Sequence, residues 1–556
     1  MTRALDRLSG SEFDLVVIGG GVHGAFVAWD SAQRGLRVAL VEQGDFAGAT
    51  SGNSQRIIHG GLRYLQQLDL NRARESARER GILMRIAPHF VRPLPCLLAL
   101  DRGREVPAPL LAAGLHLYGL LSREHGRSAG PRPALPSPRR ISGRDCVELW
   151  PDLACIRPGG GLLFYDGYAR DAERLVLAVL QSASRAGAHL ANYARVVGPL
   201  RTGRSSTGVR AVDVLSSRPF DIRARMVVNC GGPWAAHIRG LLAGRDPGLK
   251  LVKAIVLATR PVVREPALGV PTRRQPARQH ARAARARYLF FTPGRSVSLL
   301  GTWYASHDRR PDEFVITADE VAAMVAEVNA SYPAAELRPG DVRRVHGGLL
   351  PADASAKGGD DPLCARRYRI DADGEDDDRP VVSIIGVKLT TARAVAARAV
   401  DYVVERLGVT RAPCRTHEHP LADGEDVLSQ DPASARKAAA ASGVSEDVAG
   451  YILDVYGSAG SGVLQHLREN PRWADPVSPA SRVIGAQVVH AARSEMAQKL
   501  SDVVYRRTDL GAAGAPDAAS LRACASILSS ELGWTEARTR DEIAEAEATR
   551  LPVPGI

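Results

Sequence analysis

Cysteine is scarce in this 556-residue chain and badly spaced for structural use. The seven cysteines, at positions 96, 146, 155, 230, 364, 414 and 524, are odd in number and scattered. A disulfide scaffold is thereby excluded, and no two stand at the short spacing of a metal site, so no metal is expected. That usage predicts a reducing, cytoplasmic setting. Long uncharged apolar runs are missing too. Met1 to Glu12 is polar and lacks the apolar core of a secretory signal. The apolar stretch from Phe13 to Ile18 is too short to span a bilayer. The nearest longer stretch, Val106 to Leu121, carries two prolines and a histidine and predicts a buried or half-buried helix. Compositional extremes are absent: 45% apolar and 24% charged residues exclude global disorder. The net charge of +12 permits attraction to an anionic lipid surface or substrate without establishing either.

The length implies two or three structural units. The first opens near Phe13 with a strand-turn-helix-strand pattern. Helical periodicity follows over Leu70 to Ile86 and Asp171 to Ala186, and Arg225 to Asn229 reads as a strand. Residues 122–144 are rich in Pro, Gly and Arg and read as loop. Arg273 to Arg287 holds six arginines and no acid, and Asp371 to Asp378 holds six acids. Both predict solvated loops, and the arginine block lacks the aromatics or fold signal of a nucleic-acid site. From about Asp423 the chain turns Ala-rich and helical. The expected division is 12–420, with interleaved substrate-domain segments at about 65–165 and 245–345, then a helical domain over 421–556.

The most informative segment runs from Asp14 to Ala25. Gly19, Gly21 and Gly24 stand in G-x-G-x-x-G spacing directly after an apolar strand. Gly19 permits a tight turn, Gly21 lets the backbone approach a pyrophosphate, and Gly24 allows close strand-helix packing. A helix from Ala25 to Gln33 offers its N-terminus to phosphates. A second strand, Arg37 to Val41, ends in Glu42, 18 residues beyond Gly24, where a ribose is bound in such units. A dinucleotide is expected. The loop leaves FAD and NAD open, while a carboxylate at Glu42 disfavours NADP.

The next segment separates them. Ile58-His59-Gly60-Gly61-Leu62-Arg63-Tyr64-Leu65 is close to a signature of the flavin-dependent glycerol-3-phosphate dehydrogenases, within the D-amino-acid-oxidase-like flavoproteins. Further segments resemble that family in the right order: Asp171 to Ala178, Val228 to Trp234, Gly386 to Thr391, and Arg493 to Thr508. The resemblance implies an α/β fold, with a Rossmann-like FAD-binding domain, an interleaved α+β substrate domain and a C-terminal helical domain. It also implies FAD. The expected cofactor contacts are Gly19, Gly21, Val22, His23, Gly24, Glu42, Gln43, Thr50, Ser51, Ser54, Gln55, Arg56, Ile57, Gly60, Val196, Cys230, Gly231, Gly386, Lys388, Leu389 and Thr390. A helix from Ala392 to Leu407 would aim its N-terminus at the flavin, unless the Lys-Leu-Thr-Thr stretch before it is only a cap.

The family oxidises a CH–OH group by hydride transfer to flavin N5. His59, Arg63, Arg366 and Lys388 match its catalytic pattern, with His59 either a base or a structural histidine. Other positions depart from it. Val256 stands where a histidine is expected, Leu350 where a phosphate-binding arginine is expected, and Trp303 and Tyr304 stand where the family's Gly-Thr-Thr-Asp has its last two residues; Thr390 is a further expected pocket residue. Glycerol-3-phosphate or a related polyol or sugar-like alcohol is the expected substrate. The alternatives are a larger non-phosphorylated alcohol, an amine, or a non-catalytic flavin protein. Expected partners are a quinone or oxygen as electron acceptor, the inner face of a membrane as a peripheral contact, and a second copy in a homodimer.

Overall fold

The computed structural model describes residues 1–65, 69–101, 135–202, 205–244, 248–273, 288–353, 364–373, 381–422 and 441–549. The expected helix over Val106 to Leu121, the loop over 122–134 and most of the arginine block lie outside them.

Glu12–Ile18 is a central strand because from Phe13 on every side chain is apolar or masked from water, the pattern of a parallel strand covered on both faces. It pairs in parallel with Val38–Val41 on one side and Pro219–Asn229 on the other, with Val17 opposite Leu40 and Val228. Val381–Ile385 extends the sheet beyond Pro219–Asn229 and His189–Ala191 extends it beyond Val38–Val41, both in parallel. The helix Val22–Gln33 lies on this sheet, flanked by Ala172–Arg185 and Ala392–Leu407. It starts three residues earlier than the sequence pattern suggested, because Gly21 takes the N-cap position directly after the turn.

A second sheet is almost wholly antiparallel. Its order runs Val342–Pro351, Leu251–Thr259, Ser298–His307, Tyr288–Pro293, Ala267–Pro271, Val91–Leu100, Gly160–Ala169 and Ile57–Ile58. Arg139–Ser142 adds to its edge and leads into a helix over Gly143–Leu149, which Ser142 caps, so the expected loop over 122–144 is corrected for its last residues. The acid block is corrected at its start. Asp371 lies in the strand Arg369–Ala372, and buried Asp373 pairs with Arg239 instead of facing solvent.

The C-terminal helices Glu446–Tyr456, Gly485–Ser494, Ala518–Leu532 and Glu536–Ala548 enclose their own apolar core. Ser445, Asp517 and Thr535 cap three of them, and Gly533 ends one in the left-handed region. Among the described residues no helix is long and apolar enough to cross a membrane, and no cluster of His, Cys, Asp and Glu is placed to hold a metal.

Buried ions fasten this unit to the first sheet. Asp45, in the loop after Val38–Val41, accepts from Arg507 at 2.7 and 2.8 Å, from Arg506 at 2.5 Å and from Asn192 at 3.1 Å. Burial opposes its ionisation, but the two guanidiniums outweigh burial and hold the carboxyl at about 2. Its stabilisation is therefore complete above its ordinary value near 3.8 and is lost as pH falls toward 2. Asp45→Asn leaves Arg507 without its carboxylate partner, while Arg506 keeps Asp502 at 2.6 Å, and is expected to cost about 3 kcal/mol, read from urea unfolding at neutral pH. Arg210→Met, which breaks only the exposed pair with Asp221, is expected to cost less than about 1 kcal/mol in the same measurement.

Candidate active site

The carboxyl ends of the first sheet and one face of the second enclose a cavity of about 3040 Å³. The glycine turn forms one end. Gly19 has φ +110°, and a Cβ there would lie 2.5 Å from the Cys230 carbonyl oxygen; a Cβ on Gly24 would lie 1.9 Å from the Gly19 oxygen. Strand and helix therefore touch backbone to backbone, which brings the helix N-terminus to the cavity wall. Ser51 Oγ accepts from the Val22 N–H at 3.0 Å. Glu42 accepts from Gly20 N–H at 2.7 Å and Gly44 N–H at 2.8 Å, so its carboxylate is aimed before any ligand arrives. Burial pushes that carboxyl up, and the two N–H groups counter it. Gln43, Val196, Cys230 and Gly231 line the same end, and burial pushes the Cys230 thiol up.

His23 packs so closely on Gly386 that a Cβ there would meet the ring at 2.0 Å. Burial lowers its imidazole to about 4, so the ring is neutral, and its buried Nε2 has no hydrogen-bond partner among the described residues. An orphan polar atom beside an open helix terminus and an aimed carboxylate fits the polar, anionic ADP half of FAD.

Thr50, Ser51, Ser54, Gln55, Arg56 and Ile57 also line the cavity. Several of their side chains are committed to the protein. Thr50 Oγ1 donates to the Leu349 carbonyl at 3.0 Å, Gln55 Nε2 donates to the Phe290 carbonyl at 2.7 Å, and Ser54 Oγ accepts from Arg56 N–H. Arg56, with φ +63°, faces Glu173 at 3.4 Å and Asp171 at 3.5 Å. These residues shape the loop more than they donate into the cavity.

The middle of the cavity holds the proton-active groups. His59 donates its backbone N–H to Thr390 Oγ1 at 3.1 Å, and Gly60 donates its N–H to Asp166 Oδ1 at 2.7 Å. The His59 side chain is 53% exposed, with Nδ1 3.5 Å from Asp166 Oδ2. The Lys388 ammonium sits 3.9 Å from the centre of the Tyr64 ring, on which Arg72 also stacks. Arg72 in turn donates to the Arg366 carbonyl, holding the Arg366 loop at the rim with its side chain exposed. Arg63 lies in the short helix Leu62–Leu65, and its side chain is outside the described residues. Thr391 begins the helix Ala392–Leu407 without capping it through its side chain, Thr390 accepts from His59, and the Ala392 N–H turns back to the Leu389 carbonyl at 3.2 Å, so Lys388, Leu389 and Thr390 line the cavity in front of the helix N-terminus.

The second sheet supplies the opposite wall. Trp303 and Tyr304 are half-buried and pair with Ile255 and Ala254, while Leu350 pairs with Val252. Val256 is 1% exposed and packs with Ala258, Val297 and Leu299. Arg344 lines the cavity, bound to the Gly511 carbonyl and stacked on Tyr505; His346 is buried against Asn53 and does not reach it. Of the expected contacts, Gly24 and Gly60 stand behind the wall. Sequence reasoning missed Asp166 and Phe290. Asp166 had a signal, a lone acid within the apolar run Leu162 to Tyr168, which a buried strand does not carry without a partner.

Over residues 14–396 the chain matches the family described as FAD dependent oxidoreductase, and over 414–539 the C-terminal domain of alpha-glycerophosphate oxidase. It is 32% identical over 554 residues to glycerol-3-phosphate dehydrogenase of Synechocystis sp., with 97% of each chain covered. Mitochondrial glycerol-3-phosphate dehydrogenase of Mesocricetus auratus is 30% identical, covering 96% of this chain and 73% of that one. Among solved structures, glycerol-3-phosphate dehydrogenase from Bacillus halodurans complexed with FAD shares the fold, with TM-score 0.74 at 24% identity over 98% of this chain and 95% of that one.

Two substitutions probe the cofactor end. Gly24→Ala is expected to abolish FAD uptake, because the added methyl meets the Gly19 oxygen. Glu42→Gln is expected to weaken FAD about tenfold or more, at about 1.5–3 kcal/mol for a lost charge-assisted hydrogen bond. Fluorescence titration of apoprotein with FAD checks both.

Proposed function

Since the chain belongs to the FAD dependent oxidoreductase family and carries the C-terminal domain of alpha-glycerophosphate oxidase, we propose that it oxidises glycerol-3-phosphate or a closely related polyol phosphate to the corresponding ketone. The observation that carries this reading is the meeting of His59, Thr390 and Lys388 with the glycine turn on one cavity.

Bound FAD would be held by the glycine turn, Glu42 and the 386–391 loop, and it supplies the two-electron acceptor. The protein does the rest. The N-terminus of Ala392–Leu407, behind the 386–391 loop, favours negative charge at the flavin end. His59 takes the proton of the substrate hydroxyl. Lys388 and Arg366 hold the anionic end, and Trp303 and Tyr304 form an apolar wall that keeps water off the reacting carbon. Val256 and Leu350 add no charge, so anion recognition rests on fewer cations than the resemblance implied. The reading includes a quinone or dioxygen as the final electron acceptor.

Anaerobic addition of millimolar glycerol-3-phosphate is expected to bleach the flavin absorbance, and an unbleached, FAD-loaded protein overturns the proposal. His59→Gln is expected to slow bleaching about 10²–10⁴-fold with FAD retained. Lys388→Met is expected to raise KM for the phosphorylated substrate about tenfold to a hundredfold, with a much smaller effect on unphosphorylated glycerol.

A further inference from the structure

Asp166 is 4% exposed, near the middle of the strand Gly160–Ala169, with Leu94 beside it on the neighbouring strand. A carboxylate buried there needs partners to stay ionised. Oδ1 has two, the Gly60 N–H at 2.7 Å and Arg80 Nη1 at 2.8 Å. Burial opposes the charge, yet His59, Arg80 and that N–H together hold the carboxyl below its ordinary range. Oδ2 is aimed elsewhere, at His59 Nδ1, 3.5 Å away.

His59 is gripped from three directions. Its own N–H is bound by Thr390, the next N–H by Asp166, and its ring by the same carboxylate, while the Phe290 ring stands edge-on at 6.5 Å. An imidazole that turns Nδ1 to a carboxylate carries its proton there and leaves Nε2 as the acceptor. The orientation favours the tautomer that carries its proton on Nδ1.

We infer that Asp166 is a positioning residue that acts through His59, presenting Nε2 to the substrate hydroxyl and stabilising the imidazolium that results. The O–H bond of the substrate breaks, an Nε2–H bond forms, and the positive charge gained by the ring is met by the carboxylate. This rests on His59 being the proton acceptor. Among the described residues, the other charged or titratable groups against the pair are Arg80 from the helix Leu70–Ile86 and Cys96 from the strand Val91–Leu100, and Lys388 lines the same cavity.

The test uses the FAD-loaded protein. Asp166→Asn is expected to reduce kcat about 10–100-fold with KM and FAD content little changed, and Asp166→Glu is expected to recover part of that loss. Independently of turnover, the rate of His59 carbethoxylation by diethyl pyrocarbonate at fixed pH, followed by peptide mass spectrometry, is expected to change in Asp166→Asn. Because Asn leaves Arg80 without its carboxylate, the double variant Arg80→Met/Asp166→Asn is measured alongside and is expected to show the same changes. FAD-loaded variants in which neither kcat nor the carbethoxylation rate changes overturn the inference. If His59→Gln turns over at the wild-type rate, the proton-acceptor reading fails instead, and the carbethoxylation rate still reports whether Asp166 and His59 are coupled.

Discussion

The backbone contact between Gly24 and Gly19 is the constraint on which the rest of the molecule depends. Any side chain at residue 24 would push the helix Val22–Gln33 off the strand Glu12–Ile18. With the contact in place, free N–H groups arrive at the carboxyl edge of the sheet, and Gly20 is close enough to orient the Glu42 carboxylate. The same edge receives Gly231 at the end of Pro219–Asn229 and Gly386 at the end of Val381–Ile385. Parallel strands that end together thus deliver four segments, far apart in sequence, to one end of the cavity.

A second constraint is electrostatic. Four deeply buried acids each hold an arginine from a different part of the chain: Asp45 with Arg507, Asp166 with Arg80, Glu79 with Arg393, and Glu495 with Arg174. Such pairs add little net stability over apolar contacts, but a wrong pairing would leave a buried charge uncompensated. Their effect here is registration. Asp45 lies three residues after Glu42, so the arginines of the C-terminal unit set the loop that carries the Glu42 carboxylate. Glu495 and Arg174 repeat the arrangement, with Arg174 stacked 4.1 Å over Tyr456.

The elements that depend on local pattern were legible in the sequence. The glycine spacing, the terminal acid at Glu42, and the helices Leu70–Ile86 and Ala392–Leu407 are all local signals, and the structure has these helices with those bounds. What was not legible depends on partners distant in the chain. The donors at Thr50, Gln55 and Arg56 looked free because Leu349, Phe290 and Glu173 are more than a hundred residues away. Asp371 and Asp373 looked like part of a solvated acidic run because Arg239 could not be seen beside them. Asp166 showed itself as an acid out of place, yet its role required knowing that the antiparallel pairing of Ile57–Ile58 with Gly160–Ala169 sets His59 against it.

The same topology separates Val256 and Leu350 from the groups proposed to handle the proton. Both stand on the second sheet, one in the small apolar cluster with Ala258, Val297 and Leu299 and the other opposite Val252, on the wall facing the flavin loops. His59 and Gly60 follow Ile57–Ile58 at the far edge of the same sheet, where His59 donates its N–H to Thr390 and Gly60 its N–H to Asp166, several strands away from Val256 and Leu350. Substitutions on the wall alter what the cavity holds and how tightly. Substitutions among the linked groups alter whether a proton can leave. On the proposed reading, Lys388 and Arg366, on loops outside that sheet, would still attract an anion where the Leu350 wall is apolar.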